Sequence, residues 1–293
     1  MFELRRLRFL HELAQRGTIA AVAEALSYSP STISQQLSQL ERDAGVKLLV
    51  PDGRRVRLTS HGETLAAYAA RALDADDEVR AELEEPRVGV APVRIAVLQT
   101  AARTIVPAAL TLLAERTPGL RVELAELPPE EGLFELGARG FDLAIAEQYP
   151  GLTRPHRAEL DRDILGTDPI RLATAGETGP LSAFAESAWV MEPRGTAARE
   201  WAVQQCRAAG FEPDVRYELA DLSGHAELIS AGHAVGLLPD LLWTGGAPRV
   251  RLTSLRGDPS REIFTAARRS SRSRPGIRLV REALADAFAA RHR

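Results

Sequence analysis

The sequence predicts a multidomain α+β protein: an N-terminal winged helix-turn-helix, a long linker helix and a C-terminal two-lobed α/β region. Three observations predict it. Two helical patterns flank the polar turn Ser27-Tyr28-Ser29-Pro30 and lead into a basic hairpin. Residues 60–85 contain no proline and only Gly62, in a run of helix-favouring residues. Beyond residue 92, short apolar strands alternate with helical patterns, the mark of parallel α/β units.

At 293 residues the chain has room for two or three domains. A hydrophobic fraction of 45% with 26% charge is that of a soluble globular protein. No window approaches 18 consecutive apolar residues, which argues against a membrane span. The first residues, MFELRRLRFLHELAQRG, read as an amphipathic helix rather than a signal peptide. A lone cysteine, Cys206, excludes an intrachain disulfide and fits a reducing cytoplasm. A small buried hydrophobe outweighs a catalytic thiol as its reading.

The first helix covers Phe2 to Gln15, with Leu7, Leu10, Leu13 and Ala14 at helical spacing and Gly17 marking its end. Thr18 is placed to cap the next helix, whose small residues Ala20, Ala21, Ala23 and Ala25 allow close approach of a neighbour. Ser29 caps the third, with Pro30 at the first position, where its missing N–H costs nothing. Along that helix Ile33, Leu37 and Leu40 form a buried stripe, while Ser31, Gln35, Ser38, Gln39 and Arg42 gather on the opposite side. Hydroxyls, amides and a guanidinium with almost no negative charge suit base edges and phosphates in a major groove. Gly45 ends the helix, and Leu48-Leu49-Val50 and Val56-Arg57-Leu58 read as paired strands around Asp52-Gly53. Arg54, Arg55 and Arg57 on or beside this wing are placed for the sugar-phosphate backbone or minor groove. Double-stranded DNA is therefore the expected partner, through Thr18, Ser29, Ser31, Thr32, Gln35, Gln39, Arg42, Arg54 and Arg55.

Charge distribution agrees. Residues 1–60 hold nine Arg/Lys against six Asp/Glu, whereas residues 61–85 hold two against eight. In that acidic helix Leu65, Ala69, Ala72, Asp76, Val79 and Leu83 form a heptad-like seam, and Pro86 to Pro92 reads as a hinge. Such a seam serves dimerisation, or the helix packs on its own domain. Strand Val93 to Leu98 then opens a βαβαβ unit with helix Ile105 to Arg116, strand Arg121 to Leu127, helix Gly132 to Arg139 and strand Phe141 to Ala146. A second round has strands Ile170 to Thr174 and Ala188 to Met191, helix Ala197 to Ala209, strand Val215 to Leu219, helix Leu222 to Ser230 and apolar segment Val235 to Leu238. Strand Ile263 to Arg268 and helix Ile277 to Ala290 close the chain.

These segments resemble the LysR-type transcriptional regulators of bacteria, in order and over nearly the whole chain. Val22-Ala23-Glu24-Ala25-Leu26 follows that family's Ala-Ala-x-x-Leu. Ser29, Ser34, Leu37, Leu40 and Glu41 follow its serine–leucine–glutamate signature. Gly45-Val46-Lys47-Leu48-Leu49 and Val56-Arg57-Leu58-Thr59-Ser60-His61-Gly62 follow its next two segments. In the C-terminal half the matches are Thr117 to Val122, Phe141 to Ile145, with Arg139 in a glycine position, and Ala231 to Pro239. Departures fall at Leu49, Pro51, Pro30-Ser31 and Gln35, so no operator sequence carries over.

The resemblance implies a periplasmic-binding-protein-like effector domain and a cytoplasmic protein. It also implies an antiparallel linker-helix homodimer, pairing further into a homotetramer that bends DNA. A dimer predicts a dyad-symmetric site with interrupted half-sites. RNA polymerase is a further candidate partner. The domains divide as 1–59, 60–91, lobe I at 92–163 with 264–293, and lobe II at 164–263.

A small-molecule effector is expected beyond the carboxyl ends of the strands, where ligands of open α/β sheets bind. That selects Gln99, Thr100, Ala101, Pro128, Glu147, Gln148, Arg194, Gly195, Thr196 and Ser223. Thr100 and Gly195-Thr196 precede helices, whose free N–H groups favour an anion or need only ordinary capping. Arg194 offers a partner for an effector carboxylate, with a solvated surface charge as the alternative; Glu147 repels an acidic ligand. No metal-ligand spacing, phosphate loop or Gly-x-Ser-x-Gly elbow is present, so no cofactor, metal or catalytic residue is expected. Asp221-Leu222-Ser223-Gly224-His225 has triad residue types, but adjacency is not triad geometry. An α/β-fold small-molecule binding protein, or an enzyme, with an appended DNA-binding domain is the alternative reading.

Overall fold

A computed structural model of the chain describes residues 1–53, 55–84, 91–152, 157–243 and 248–291. Helix α1 (Leu4–Arg16) stops where Gly17 takes a φ of 74°. Helix α2 (Ile19–Leu26) starts at Thr18, whose Oγ1 accepts the Ala21 N–H at 3.1 Å. It ends on Ser27 at φ 57°, a left-handed conformation that a side chain adopts at some cost. Helix α3 (Pro30–Ala44) is capped by Ser29 Oγ accepting from Thr32 N–H, and Gly45 at φ 70° closes it. Strands β1 (Leu49–Asp52) and β2 (Arg55–Leu58) pair antiparallel, with Leu49 opposite Leu58. Helix α4 (Ser60–Leu83) follows at once. Arg54 and residues 85–90, which hold most of the expected hinge, lie outside the described residues.

Ile33, Leu37 and Leu40 are buried against Leu7, Leu10, Leu13 and Leu48, so the predicted apolar stripe is the core of the N-terminal domain. The predicted seam on α4 divides, and its first half packs on its own domain, one of the two readings its spacing left open. Ala69 is fully buried in the same core, and Leu65 and Ala72 pack against it, because α1 lies along the small residues of this half. Only Val79 and Leu83 stay open, at 53% and 75% exposure.

Strand β3 (Val93–Val97), helices α5 (Gln99–Thr104) and α6 (Val106–Arg116), strand β4 (Val122–Glu126), helix α7 (Pro129–Gly137) and strand β5 (Leu143–Gln148) form the first α/β unit. Strand β3 is central, parallel to β4 on one side and β5 on the other. Strand β6 (Leu160–Thr174) runs 15 residues, starting well before the segment its apolar run marks. Its first half, Asp161-Arg162-Asp163, hides a strand behind charge that Arg281 and Arg272 neutralise. Strand β7 (Ala188–Met191), helix α8 (Ala197–Ala208), strand β8 (Asp214–Glu218), helix α9 (Leu222–Ser230), strands β9 (Gly236–Pro239), β10 (Arg251–Ser254) and β11 (Ser260–Arg268) and helix α10 (Pro275–Ala290) complete the chain.

Strands β6 and β11 tie the two halves together. The start of β6 and all of β11 extend the first sheet in the order β6-β11-β5-β3-β4, whereas the end of β6 pairs β9 and β10. Their mutual register slips between Ile263 and Phe264, which face Gly166 and Ile164. This bulge bends β6 as it passes from one sheet to the other.

The acidic α4 finds its partners within the chain. Asp74 and Asp77 pair with Arg139, Asp77 also with Arg268 at 3.2 Å, and Glu84 with Arg274 at 2.9 Å. Arg16 of α1 adds a two-pronged bond to Glu135 of α7, both arms at 2.7 Å. Arg139 holds φ 64°, the conformation glycine takes most readily, and its guanidinium is the hub of this junction.

Candidate nucleic-acid interface and interlobe cleft

On α3 the predicted outer face is open: Ser31, Gln35, Ser38 and Arg42 are exposed, and Gln39 is half-buried. Gln35 has no side-chain hydrogen bond among the described residues, so its amide is free for a base edge. The others are partly committed. Ser29 Oγ shares hydrogen bonds of 2.8 Å with the hydroxyls of Ser31 and Thr32, closing the helix N-terminus. Gln39 accepts from Arg42 Nε at 3.1 Å and donates to Asp43, which in turn accepts from Arg6 at 2.6 Å. Arg42 is thus held over the helix surface by Gln39, a positioning bond that the sequence did not reveal. Thr18 is half-buried and spends its hydroxyl on capping α2. Arg55 is exposed on β2, with no hydrogen bond or ion pair among the described residues to compete with a phosphate.

Glu41 fixes the wing to this helix. Its Oε1 accepts the backbone N–H of Leu48 at 2.9 Å and of Leu49 at 3.2 Å, and Lys47 donates to Oε2. Burial alone raises a carboxyl, but these bonds outweigh it and hold Glu41 below the ordinary glutamate value. Thr59 and Gly62 complete the joint. Thr59 Oγ1 donates to Lys47 O at 2.7 Å and accepts from Gly62 N–H, and a β-carbon on Gly62 would stand 2.2 Å from Leu48 O.

Between the lobes lies a cavity of about 270 Å³, at the carboxyl ends of β3, β4, β5 and β7. Of the predicted residues, Gln99, Thr100, Pro128, Glu147 and Thr196 line it. Ala101 does not, being fully buried in the lobe I core. Gln148 turns away to donate to Tyr149 O at 3.3 Å. Arg194 is 87% exposed and 4.0 Å from Glu218, outside the lining, so the expected partner for an effector carboxylate is a solvated surface charge. Gly195 takes φ 87° in the turn before α8 and is likewise outside it. Ser223 is also outside the lining, its hydroxyl bonded by Arg103. Gln99 also bridges the lobes, donating to Asp221 at 2.7 Å and accepting the Leu222 N–H at 3.1 Å.

The floor is an ion network that sequence reasoning missed. Arg261, 2% exposed at the start of β11, donates through Nε to Asp168 at 2.9 Å and through Nη2 to Thr100 Oγ1 at 2.8 Å, and it pairs with Glu147. Asp168 stands directly across β6 from it and also accepts the Leu241 N–H at 2.8 Å. Thr100 is therefore an acceptor for a buried arginine rather than part of an anion site. Burial pushes Asp168 above the ordinary aspartate value, with Arg261 opposing. Burial likewise pushes Glu192 up to about 8, with the Glu147 charge adding to it. One signal was available for Glu192, since it directly follows the strand Ala188–Met191. Arg261 and Asp168 carried none, because their partners are distant in sequence.

Asp221, Ser223 and His225 form no catalytic relay. His225 Nε2 bonds Leu219 O at 2.8 Å, Asp221 caps α9 by accepting the Ser223 N–H, and the Ser223 hydroxyl meets Arg103. Cys206 is fully buried on α8, and burial pushes its thiol up to about 12. Among the described residues no helix is long and apolar enough to cross a membrane, and no group of three or more His, Cys, Asp or Glu is placed to hold a metal ion.

Known proteins match along the whole length. A family model described as "Bacterial regulatory helix-turn-helix protein, lysR family" matches residues 4–63, and one described as "LysR substrate binding domain" matches residues 77–289. The transcriptional dual regulator GltC of Bacillus subtilis is 28% identical over 257 residues, covering 84% of each chain. A probable hydrogen peroxide-inducible genes activator of Streptomyces viridosporus is 32% identical over 254 residues, 80% of each. Full-length OxyR of Pseudomonas aeruginosa superimposes with a TM-score of 0.68 at 20% identity, covering 98% of this chain and 95% of that one. Full-length CbnR complexed with its target DNA gives 0.55 at 22% identity, covering 98% and 99%.

Proposed function

Because this chain belongs to the LysR family of transcriptional regulators, we propose that it reads DNA through Gln35 and Arg42 on α3, with Arg55 on the wing binding phosphate. Arg54 belongs with Arg55 by sequence. Ser29, Ser31, Thr32, Thr18 and Gln39 support this face by capping and by holding Arg42. A small molecule in the interlobe cleft modulates binding. The working unit is a homodimer, pairing to a homotetramer, on a dyad-symmetric site in the cytoplasm. The observation that carries the reading is the free amide of Gln35 on an exposed polar helix face, joined through α4 to a two-lobed domain with a cleft between its lobes.

The chain acts as a regulator and not as an enzyme. The regulators it resembles support this, as does the commitment of His225 Nε2 to Leu219 O, away from the Ser223 hydroxyl that Arg103 holds. A peroxide response through a thiol finds no support in the buried Cys206, since the reactive form is the thiolate. Lobe I comprises 92–163 with 264–293 and lobe II 164–263, a division that runs beside the register slip between β6 and β11 at Ile263 and Phe264.

The test is binding to DNA over a salt series. Phosphate neutralisation releases counterions, so affinity falls steeply with salt, and Arg55→Ala makes the slope shallower by about one while weakening cognate and random DNA alike. Salt-independent binding sinks the reading. Weakening confined to the cognate site makes the wing a reader of bases.

A further inference from the structure

Charge in the interlobe cavity is lopsided. The ionisable side chains along it are Glu126, Glu147, Glu192 and Arg261. Arg261 is already spent on Glu147, Asp168 and Thr100, so it has little left to offer an anion. Neither Glu126 nor Glu192 has a side-chain hydrogen bond or ion pair among the described residues. Glu192 also borders a second, smaller space of about 30 Å³, lined in part by Tyr149, Trp201 and His225. That space admits a water molecule but no ligand. Water is the only partner that space can offer the carboxyl, so any ligand partner comes from the cleft. The remaining wall is apolar, formed mainly by Leu98, Leu127, Pro128 and Leu222.

We propose that the cleft takes a small organic cation, a protonated amine or guanidinium on an apolar body, with the Glu192 carboxylate as its counter-ion. This rests on the effector-cleft reading above and names the class of ligand. A carboxylate effector of the same size meets no free cation and would have to keep Glu192 protonated, and buried charge without a counter-ion is costly.

Proton linkage follows from the same geometry. Glu192, pushed up to about 8, holds its proton in the empty cleft at neutral pH. The groups around it are Glu147, Glu130, Arg261, Tyr149, His225 and Arg199, which donates to the Glu192 carbonyl at 3.1 Å. Binding of an ammonium forms the ion pair and sends that proton to solvent. Affinity for a cation therefore rises with pH, by about tenfold between 6.5 and 8, and levels off above.

The experiment is titration calorimetry and thermal unfolding of the full chain with benzylammonium, benzoate and benzyl alcohol at pH 6.5 and 8.0. The expected result is binding of benzylammonium in preference to both others, tighter at pH 8.0. Its heat changes with the ionisation enthalpy of the buffer in the sense of proton release. Glu192→Gln abolishes both the preference and the proton release while leaving DNA binding without ligand intact. The pH dependence of the unsubstituted protein tests the idea even if that variant folds poorly. Benzoate binding more tightly with proton uptake overturns the cation proposal and leaves the cleft as an effector site. No binding of any of the three at tens of millimolar removes the cleft reading along with it.

Discussion

On α3 the polar side chains face water and Gln35 is left with no partner, whereas at the cleft floor Arg261 is buried with its guanidinium divided among Glu147, Asp168 and Thr100. The first surface keeps its hydrogen-bonding capacity for a partner that comes from outside. The second spends its capacity internally and leaves only carboxylates over. Burial explains the difference, because a charge removed from water must be paired where it stands, while an exposed amide waits in solvent at little cost. Substitutions in the two regions should accordingly fail in different ways: one loses the fold and the other only the partner.

The largest effect belongs to the cleft. Arg261→Ala leaves Glu147 and Asp168 buried without their counter-ion, and the expected loss is about 3–5 kcal/mol in urea unfolding followed by tryptophan fluorescence. A loss below about 1 kcal/mol breaks the contrast, since it means the floor is hydrated. Gly62→Ala tests the joint between wing and linker. Overpacking against Leu48 O costs about 3 kcal/mol and the gain in helix propensity returns about 1, so about 2 kcal/mol is the expected net destabilisation. Melting of the N-terminal domain, followed by circular dichroism, checks it. Gln35→Ala is the smallest in stability terms: the melting temperature stays where it was. Affinity for sites selected by the unsubstituted protein drops by about 1–2 kcal/mol, and discrimination at one base pair is lost. A competition shift assay reads this directly, and unchanged selectivity removes Gln35 from the reading face.

The N-terminal domain was legible because its signals are local. Thr18, Ser29, Pro30, Gly17 and Gly45 each cap or end a helix within a few residues of themselves, and Ile33, Leu37 and Leu40 are buried by their spacing alone. Legibility declined with sequence distance. Two thirds of β6 was missed because Asp161 and Asp163 look like a loop until Arg281, far along the chain, neutralises them. The seam on α4 stayed undecided for a related reason: its apolar spacing is real, but helical spacing does not say whether a second subunit or α1 covers Ala69. In the cleft, strand ends pointed to Gln99, Thr100, Pro128, Glu147 and Thr196 but gave Arg194 a role that its exposure denies.

By itself, the sequence determined that the chain carries a winged helix-turn-helix, which face of α3 is polar, and how the α/β units follow one another. Those features repeat at helix or strand period and depend on neighbours a few residues away. Tertiary structure decided where charge is spent. It set the acids of α4 against Arg139, Arg268 and Arg274, and closed Arg261 onto Asp168 and Glu147. It also left Glu192 unpaired beside an apolar wall. Charge pairing acts through space rather than along the chain, so the number of acids and bases can be read from the sequence while the net charge of a cavity emerges only when the chain is folded.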